Sequence, residues 1–353
     1  MENREWRIIN GRRRDHFAFS ILHSQFSIFF FLSILIAPFF LTGCSLENYT
    51  DTRPVVKIGL IAPFEGLYRE SGYAALAAMR SAIADSPLPA QVRIEILPLA
   101  VDDSADPERA GRAMAKMMAD PAVAAVVGPL FPTTGAAAGE QAGKAQKAWM
   151  PSFAPNPNNG YTKTPVDDQN EWAVALVQRV AEACRAEGCA RLVLAGDSSG
   201  WPVWAEAEWG EIVQLPIAFD YPQNLEMRAD DGVLWLGMPD AGADYLTHLR
   251  ATQPNVPFWL ASPFGVDVFS RRTELSGPVF FAAWLTDAFE NWAADPSPNS
   301  PAAFQIYQAT QAAITVALTT APAPAPGTSL PAKEPIWTVS LFRLTPDGSV
   351  REK

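Results

Sequence analysis

Short apolar runs rich in β-branched residues alternate with helical patterns along most of the chain, and this alternation restricts the fold more than any other feature. The run 55–62 is apolar at nearly every position, which is typical of a parallel strand buried on both faces. Similar runs predict strands at 92–100, 122–127, 149–153, 191–195, 233–237, 257–261, 279–284 and 336–344. Between them the sequence predicts helices at 73–85, 107–118, 135–147, 170–187, 241–252 and 302–319, and a Trp-rich helix after residue 200.

Repeated strand–helix units predict an α/β fold of two doubly wound, Rossmann-like lobes. Ligands of such folds bind beyond the carboxyl ends of the strands, so we expect an inter-lobe ligand cleft. We expect lobe 1 over 55–160, a trimmed lobe 2 over 161–278, a return to lobe 1 over 279–320, an Ala/Pro linker over 321–335, and a C-terminal strand and tail over 336–353.

The N-terminus has the pattern of an export signal. Several arginines precede an apolar run at 26–41, which is about the length of a signal core and short for a membrane-spanning helix. The run ends in Leu41-Thr42-Gly43-Cys44, which resembles the bacterial lipobox, in which the peptide is cut before a cysteine that carries lipid. We expect a lipoprotein signal peptide over 1–43, lipidation of Cys44 and a tether over 44–54. A cleaved signal with a free cysteine and an uncleaved anchor are the alternatives.

Charge and histidine content disfavour several classes of function. Beyond residue 43 the chain holds 22 basic and 35 acidic residues and no basic stripe, so nucleic acid is not an expected partner. His248 is the only histidine beyond the leader, which disfavours histidine-based metal sites and most acid–base chemistry that relies on histidine. We expect no metal, no cofactor and no enzymatic activity.

Cys184 and Cys189 are the only cysteines after Cys44, and Gly188 between them suits a helix end at which the chain reverses. An exported protein meets an oxidising compartment, so we expect a disulfide between the two. Two buried thiols are the alternative. A metal site is weaker still, since neither a histidine nor a further cysteine lies nearby in the sequence.

The order of several motifs resembles that of the type I periplasmic solute-binding proteins, in particular their Leu/Ile/Val-binding branch. The resemblance starts at Val56-Lys-Ile-Gly-Leu-Ile-Ala-Pro63 and continues with Asp102-Asp103-Ser-Ala-Asp106-Pro107 and Val126-Val127-Gly128-Pro129-Leu130. It covers nearly all of 55–348. It implies a monomer, held outside the cytoplasm through lipid on Cys44, that binds a small-molecule solute between two hinged lobes and delivers it to an ABC permease in the membrane.

The resemblance also implies which side chains line the cleft. The ligand-contacting loops of the family fall here on aromatic, hydroxyl and amide residues: Phe64, Tyr68, Ser71, Phe131, Thr133, Thr134, Asn156, Asn158, Ser198, Trp201 and Phe264. For each aromatic residue the alternative is a place in the hydrophobic core.

Two positions depart from the pattern of amino-acid binders. Pro132 stands where the resemblance places a hydroxyl, and Phe264 stands where it places the acid that pairs with the α-ammonium group. An aromatic ring offers a cation–π face but no neutralising charge, and an ammonium group buried without a partner is costly. We therefore expect a neutral or aromatic-compatible solute in preference to a free amino acid.

Two other functions stay open. The same fold serves in lipoproteins that bind another protein, as sensors or as activators of cell-wall synthases, and a trimmed second lobe suits that role. Gly196-Asp197-Ser198-Ser199-Gly200 matches the G-x-S-x-G elbow of serine hydrolases, with His248 downstream as the base. His248 falls inside a predicted helix, and no upstream oxyanion-hole glycine motif is present, so the hydrolase is the weaker interpretation.

Replacement of Cys44 by serine tests the anchor. If Cys44 carries the lipid, Cys44→Ser releases the protein from the membrane fraction or leaves the signal uncleaved, because no acceptor thiol remains. Membrane fractionation and the mass of the mature N-terminus measure both effects. Ser45→Ala, which keeps the cysteine, is the control. A Cys44→Ser protein that is processed and fractionated like the wild type would show that Cys44 is not the anchor.

Overall fold

The computed structural model describes residues 53–88, 92–145, 147–153, 169–196, 206–220, 225–293, 301–320, 337–345 and 348–351. The chain divides into two units, Met1–Arg53 and Pro54–Lys353, and every element below belongs to the second. The expected signal peptide, Cys44 and the Ala/Pro linker lie outside the described residues.

The described strands and helices alternate along the chain as the sequence predicts. The strands are β1 (Val55–Ala62), β2 (Glu95–Asp102), β3 (Val123–Val127), β4 (Ala148–Met150), β5 (Arg191–Ala195), β6 (Ile217–Asp220), β7 (Asp231–Trp235), β8 (Phe258–Leu260), β9 (Val279–Leu285), β10 (Thr338–Thr345) and β11 (Gly348–Arg351). The helices are α1 (Arg69–Ala84), α2 (Pro107–Ala119), α3 (Pro132–Gly143), α4 (Gln169–Ala186), α5 (Glu206–Val213), α6 (Pro239–Thr252), α7 (Val266–Arg272), α8 (Ala288–Ala293) and α9 (Pro301–Thr320).

The first lobe is built on a four-stranded parallel sheet in the order β2-β1-β3-β4. Successive side chains of β1 point to opposite faces, so Leu60 joins the core beneath α1 and α9, while Ile61 joins the core beneath α2 and α3. The side chain of Asp106 accepts the N–H of Arg109 (2.8 Å) and caps α2 directly before Pro107. Helices on both faces give the doubly wound arrangement that the sequence predicts.

The second lobe is built on a seven-stranded sheet in the order β11-β10-β9-β8-β7-β5-β6. Strands β5 to β9 are parallel, and β10 and β11 continue the sheet antiparallel. Trp172 of α4 and Trp209 of α5 pack on one face, and Leu246 of α6 and Phe269 of α7 pack on the other. Strand β6 and helix α7 were not predicted from the sequence, although this lobe was expected to be short.

The chain re-enters the first lobe later than expected. We predicted the return over 279–320, but β9 pairs parallel with β8, at Phe258↔Val279, and therefore belongs to the second lobe. The return occurs at α9, where Ile306 packs in the core of the first sheet. The predicted boundary at 279 is therefore wrong. All seven residues of β9 are buried, and its backbone pairs with the edge of β8 and so extends the parallel sheet of the second lobe.

A buried amide joins the segments that cross between the lobes. Gln305 of α9 is 1% exposed; its Oε1 accepts the N–H of Trp284 (2.9 Å), and its Nε2 donates to the carbonyl of Ser152 (2.9 Å). Ser152 follows β4 in the first lobe, and Trp284 lies in β9 of the second. One side chain therefore links the segment after β4 to β9, where the chain passes between the lobes.

Cys184 and Cys189 lie side by side as thiols. Both are buried, and they hydrogen-bond to one another, which together with burial raises the pKa of Cys184. A Cβ on Gly232 would clash with both sulfur atoms, so the pair sits directly on the β7 backbone. The disulfide between them stays a prediction.

The exit of β2 carries a fully buried acid. Asp103 is 0% exposed; its Oδ1 accepts the N–H of Ala105 (2.9 Å), and its Oδ2 has no hydrogen-bond partner among the described residues. Burial, helped by the charge of Asp102, raises the pKa of Asp103 to about 7.

The raised pKa predicts that stability falls as pH rises from about 4 to about 7, because the folded chain keeps a proton on Asp103 that the unfolded chain loses. Asp103→Asn has no carboxyl group to titrate at this position, so the variant's free energy of unfolding changes less between about pH 4 and about pH 7. The difference between the two proteins should be on the order of a few kcal/mol. Urea titrations at a series of pH values measure it, and identical pH slopes would contradict the assignment.

Candidate functional site

The two sheets bring predicted site residues together at the carboxyl ends of their strands. Tyr68 lies after β1 and Phe131 after β3 in the first lobe, and Phe264 lies after β8 in the second. In parallel sheets these ends form one edge, so loops far apart in sequence become neighbours there. The site is therefore assembled from three separate loops.

Three aromatic side chains, two from the first lobe and one from the second, are buried where the lobes meet. Tyr68, Phe131 and Phe264 are 5%, 2% and 2% exposed and belong to one buried cluster, with the Tyr68 and Phe131 ring centroids 4.8 Å apart. Gly265 has φ +77°, and a Cβ there would lie 2.8 Å from Cε1 of Tyr68. These rings, which we call the aromatic cluster, occupy the centre of the expected cleft.

A polar contact fastens the lobes beside the aromatic cluster. The hydroxyl of Tyr68 donates to Oδ1 of Asp240 (2.5 Å) and accepts the backbone N–H of Asp240 (3.1 Å). Burial, and then the hydrogen bond to Asp240, raise the pKa of Tyr68, so it stays a neutral donor. Thr133 adds a weaker contact, its Oγ1 lying 3.2 Å from the sulfur of Met238.

Charged side chains join the lobes at the surface. Arg271 of α7 donates to Glu70 of α1 (2.9 Å) and to Asp267 of its own helix (2.7 Å). The hydroxyl of Ser71 lies 3.5 Å from Asp267. These groups are exposed, so water screens them and each contributes little to stability. They place two carboxylates at one margin of the inter-lobe contact.

A cavity of about 690 Å³ opens beside the aromatic cluster, between the lobes. We call it the lateral pocket. Its lining residues come from α1, the β8–α7 loop, α7 and the segment after it, β9, the end of β10, and the start of α9: Glu70, Ser71, Ala74, Ala75, Pro263, Phe264, Gly265, Val266, Asp267, Ser270, Thr273, Leu275, Phe281, Pro301, Ala302, Ala303, Leu344 and Thr345. Its size falls within the range of small-molecule sites.

Five of the predicted site residues lie where the two lobes meet. Ser71 and Phe264 line the lateral pocket, while Tyr68, Phe131 and Thr133 take part in the contact between the lobes.

Two predicted residues are engaged elsewhere in lobe 1. The ring of Phe64 packs on Tyr73 at 5.6 Å between centroids, and Thr134 is fully buried and donates to the carbonyl of Phe131 (2.9 Å). Asn156, Asn158, Ser198 and Trp201 lie outside the described residues.

The residues of the second lobe that contact these first-lobe side chains were not predicted from the sequence. Met238 and Asp240 follow β7, and Asp267 and Arg271 lie on α7. Met238 and Asp240 follow a parallel strand, and this position could have identified them as site residues, since ligands and partners bind at the carboxyl ends of such strands. Helix α7 has seven residues, too few for a clear period.

The structure gives the hydrolase no support. His248 is exposed in the middle of α6, and residues 197–200 lie outside the described part. Gly196 has a structural reason to be glycine: its φ is +104°, and a Cβ would lie 2.8 Å from the backbone nitrogen of Gly237. Within the described ranges, no three metal-ligating side chains cluster, and no helix has the length and apolar character to cross a membrane.

Removing the hydroxyl of Tyr68 should weaken lobe closure. Tyr68→Phe loses both hydrogen bonds to Asp240 and keeps the ring packing, so the closed form should lose roughly 1–2 kcal/mol. Small-angle scattering should show a larger radius of gyration, and urea unfolding a lower midpoint. Tyr73→Phe is the matched control, since Tyr73 lies on α1, five residues after Tyr68, and is 59% exposed. Equal behaviour of the two variants would show that the Tyr68 contact does not hold the lobes together.

Comparison with solved structures finds the same two-lobe fold in proteins of low sequence identity. A possible leucine/isoleucine/valine-binding protein from Rhodopirellula baltica superposes with TM-score 0.60 and 15% identity, covering 85% of this chain and 97% of that one. The leucine-binding protein LivK of Thermotoga maritima gives 0.60 and 13%, over 84% and 98%. The substrate-binding protein LivJ of Streptococcus pneumoniae, solved with isoleucine, gives 0.54 and 13%, over 85% and 99%.

A search of curated protein sequences found none that matches this chain. The model of one protein family, described as periplasmic binding protein, matches residues 55–317. The match includes both lobes and spans well over half of the 353 residues. Together with the fold, it confirms the resemblance to the type I periplasmic solute-binding proteins. The chain belongs to the periplasmic binding protein family.

Proposed function

We propose that the chain is an extracytoplasmic solute-binding protein, anchored by lipid on Cys44, that captures a small organic molecule between its lobes and delivers it to an ABC permease. The observation that carries the proposal is the lateral pocket, a cavity of about 690 Å³ lined by both lobes. A cavity shared by two lobes couples ligand binding to closure, since the walls separate when the lobes do.

The family and the compared structures support a solute of amino-acid size. LivJ was solved with isoleucine, and LivK is described as a leucine-binding protein. Phe264 limits how far the ligands of LivJ and LivK can be transferred to the present chain. It stands where the sequence resemblance places an acid, and it is buried in the aromatic cluster, so it offers no charge to an ammonium group. We infer a preference for neutral or aromatic-compatible solutes over free amino acids.

A binding screen tests the proposal. Calorimetry with the mature protein should show saturable binding of a neutral or aromatic solute, and tryptophan fluorescence should change on closure. If Trp201 stacks on the solute, as its sequence position predicts, Trp201→Ala should weaken binding by roughly 1–3 kcal/mol. Tyr73→Ala, which changes an exposed aromatic residue, should not. Micromolar binding of leucine or glutamate that is unaffected by Trp201→Ala would contradict the proposed ligand class.

A second candidate function rests on the aromatic cluster. Tyr68, Phe131 and Phe264 fill the centre of the cleft with the chain's own side chains. A cleft closed in this way suits a lipoprotein that presents its surface to another protein and binds no solute. Native mass spectrometry of the purified protein separates the two functions: a co-purified small molecule supports the solute-binding role, and its consistent absence, with no hit in the screen, supports the protein-binding role.

A further inference from the structure

The lateral pocket and the aromatic cluster share one wall. Phe264 belongs to the aromatic cluster and also lines the pocket, so the cluster closes the pocket on its inner side. Tyr68 and Phe131 are buried behind it and do not line the pocket. The lateral pocket thus includes two of the residues that the sequence predicts for a ligand, Ser71 and Phe264, and lies apart from two others, Tyr68 and Phe131.

We propose that the ligand lies in the lateral pocket, not at the centre of the cleft, and that it is a neutral or cationic, mainly apolar organic molecule. This inference rests on the proposed solute-binding function and adds the position and chemical class of the solute. It assigns a ligand-contacting role to parts of α1, α7 and α9.

Small side chains create the space. On the first-lobe side, α1 presents Ala74 and Ala75 to the pocket, and α9 presents Ala302 and Ala303. Phe281 of the second lobe contributes an aromatic surface opposite. Alanine methyl groups and an aromatic ring favour an apolar body, because they offer contact area and no hydrogen bonds.

The polar groups of the pocket are chiefly acceptors. The hydroxyl of Ser270 donates to the carbonyl of Val266 (2.8 Å), which leaves its oxygen free to accept from a ligand. Glu70 and Asp267 add two carboxylates at the margin, and both pair with the one cation Arg271. No lysine, arginine or histidine is among the described residues that line the pocket. An anionic solute would therefore meet net negative charge, whereas a neutral or cationic donor would not.

The walls of the pocket belong to different lobes. Ser71 on α1 and Asp267 on α7 face each other at 3.5 Å, and Arg271 bridges α7 to Glu70 of α1. Opening the lobes would break these contacts and divide the pocket. A solute in it would therefore favour the closed form, which is the behaviour that the proposed function requires.

Two fluorescent probes of the same skeleton test both parts of the proposal. N-phenyl-1-naphthylamine is neutral and has one N–H donor, and 1-anilinonaphthalene-8-sulfonate adds a negative charge. The mature protein should bind the neutral probe saturably, one molecule per chain, and the sulfonate about tenfold or more weakly. Equal or tighter binding of the sulfonate would overturn the assigned chemical class.

A matched pair of substitutions on α1 tests the position. Ala74 lines the pocket and is exposed at its mouth, whereas Ala77, also exposed on α1, does not line it. Ala74→Trp should weaken binding of the neutral probe by about tenfold or more, because the indole fills the space, and Ala77→Trp should leave it unchanged. Thermal unfolding of both variants confirms that they fold. Equal affinities in the two variants would overturn the assigned position.

Leucine, titrated into the same two variants, separates failure of this inference from failure of the proposed function. Leucine bound equally well by both variants would overturn the lateral pocket as the site and leave solute binding intact. A protein that binds neither probe nor any solute of the screen would overturn both.

Discussion

Both sheets must be buried on both faces, and the rest of the structure follows from that constraint. A parallel sheet that carries apolar side chains on each side needs a layer of helices on each side, as α1 and α9 oppose α2 and α3 in the first lobe. The residues that follow the strands are then left to form contacts beyond each sheet. The lobes meet there, at Tyr68, at Asp240 in the first turn of α6, and at Phe264.

Burial patterns also explain which elements the sequence predicts well. β1 and β5 occupy the residues predicted for them, since each is a mainly apolar run that ends at a residue which breaks the pattern, Pro63 after β1 and Gly196 after β5. β6 and α7 escape prediction because four and seven residues give too little periodicity. The return at 279 is misplaced for a different reason. An apolar run shows that a strand is buried, and it does not show which of two sheets it joins.

The candidate site, too, could be predicted only in part from the sequence. The family resemblance implies that Tyr68, Phe131 and Phe264 belong to the inter-lobe face, and the structure places them in one buried cluster there. Whether such side chains contact a solute or each other depends on how far the lobes close, which is a property of the whole fold. Asp240 illustrates the limit, because its role comes from a hydrogen bond to a residue 172 positions earlier.

The pairing of β10 with β9 sets an order of events for a chain made from its N-terminus. The first sheet draws only on β1 to β4, so its strands are complete once residue 150 has been synthesised. The outer edge of β9 stays open until 338–345 follows, beyond α9 and the Ala/Pro stretch. An open, fully apolar strand edge recruits other strands. The last residues of the chain thus cover the edge of β9 in the second lobe. A protein shortened at the Ala/Pro stretch would expose that edge to other chains.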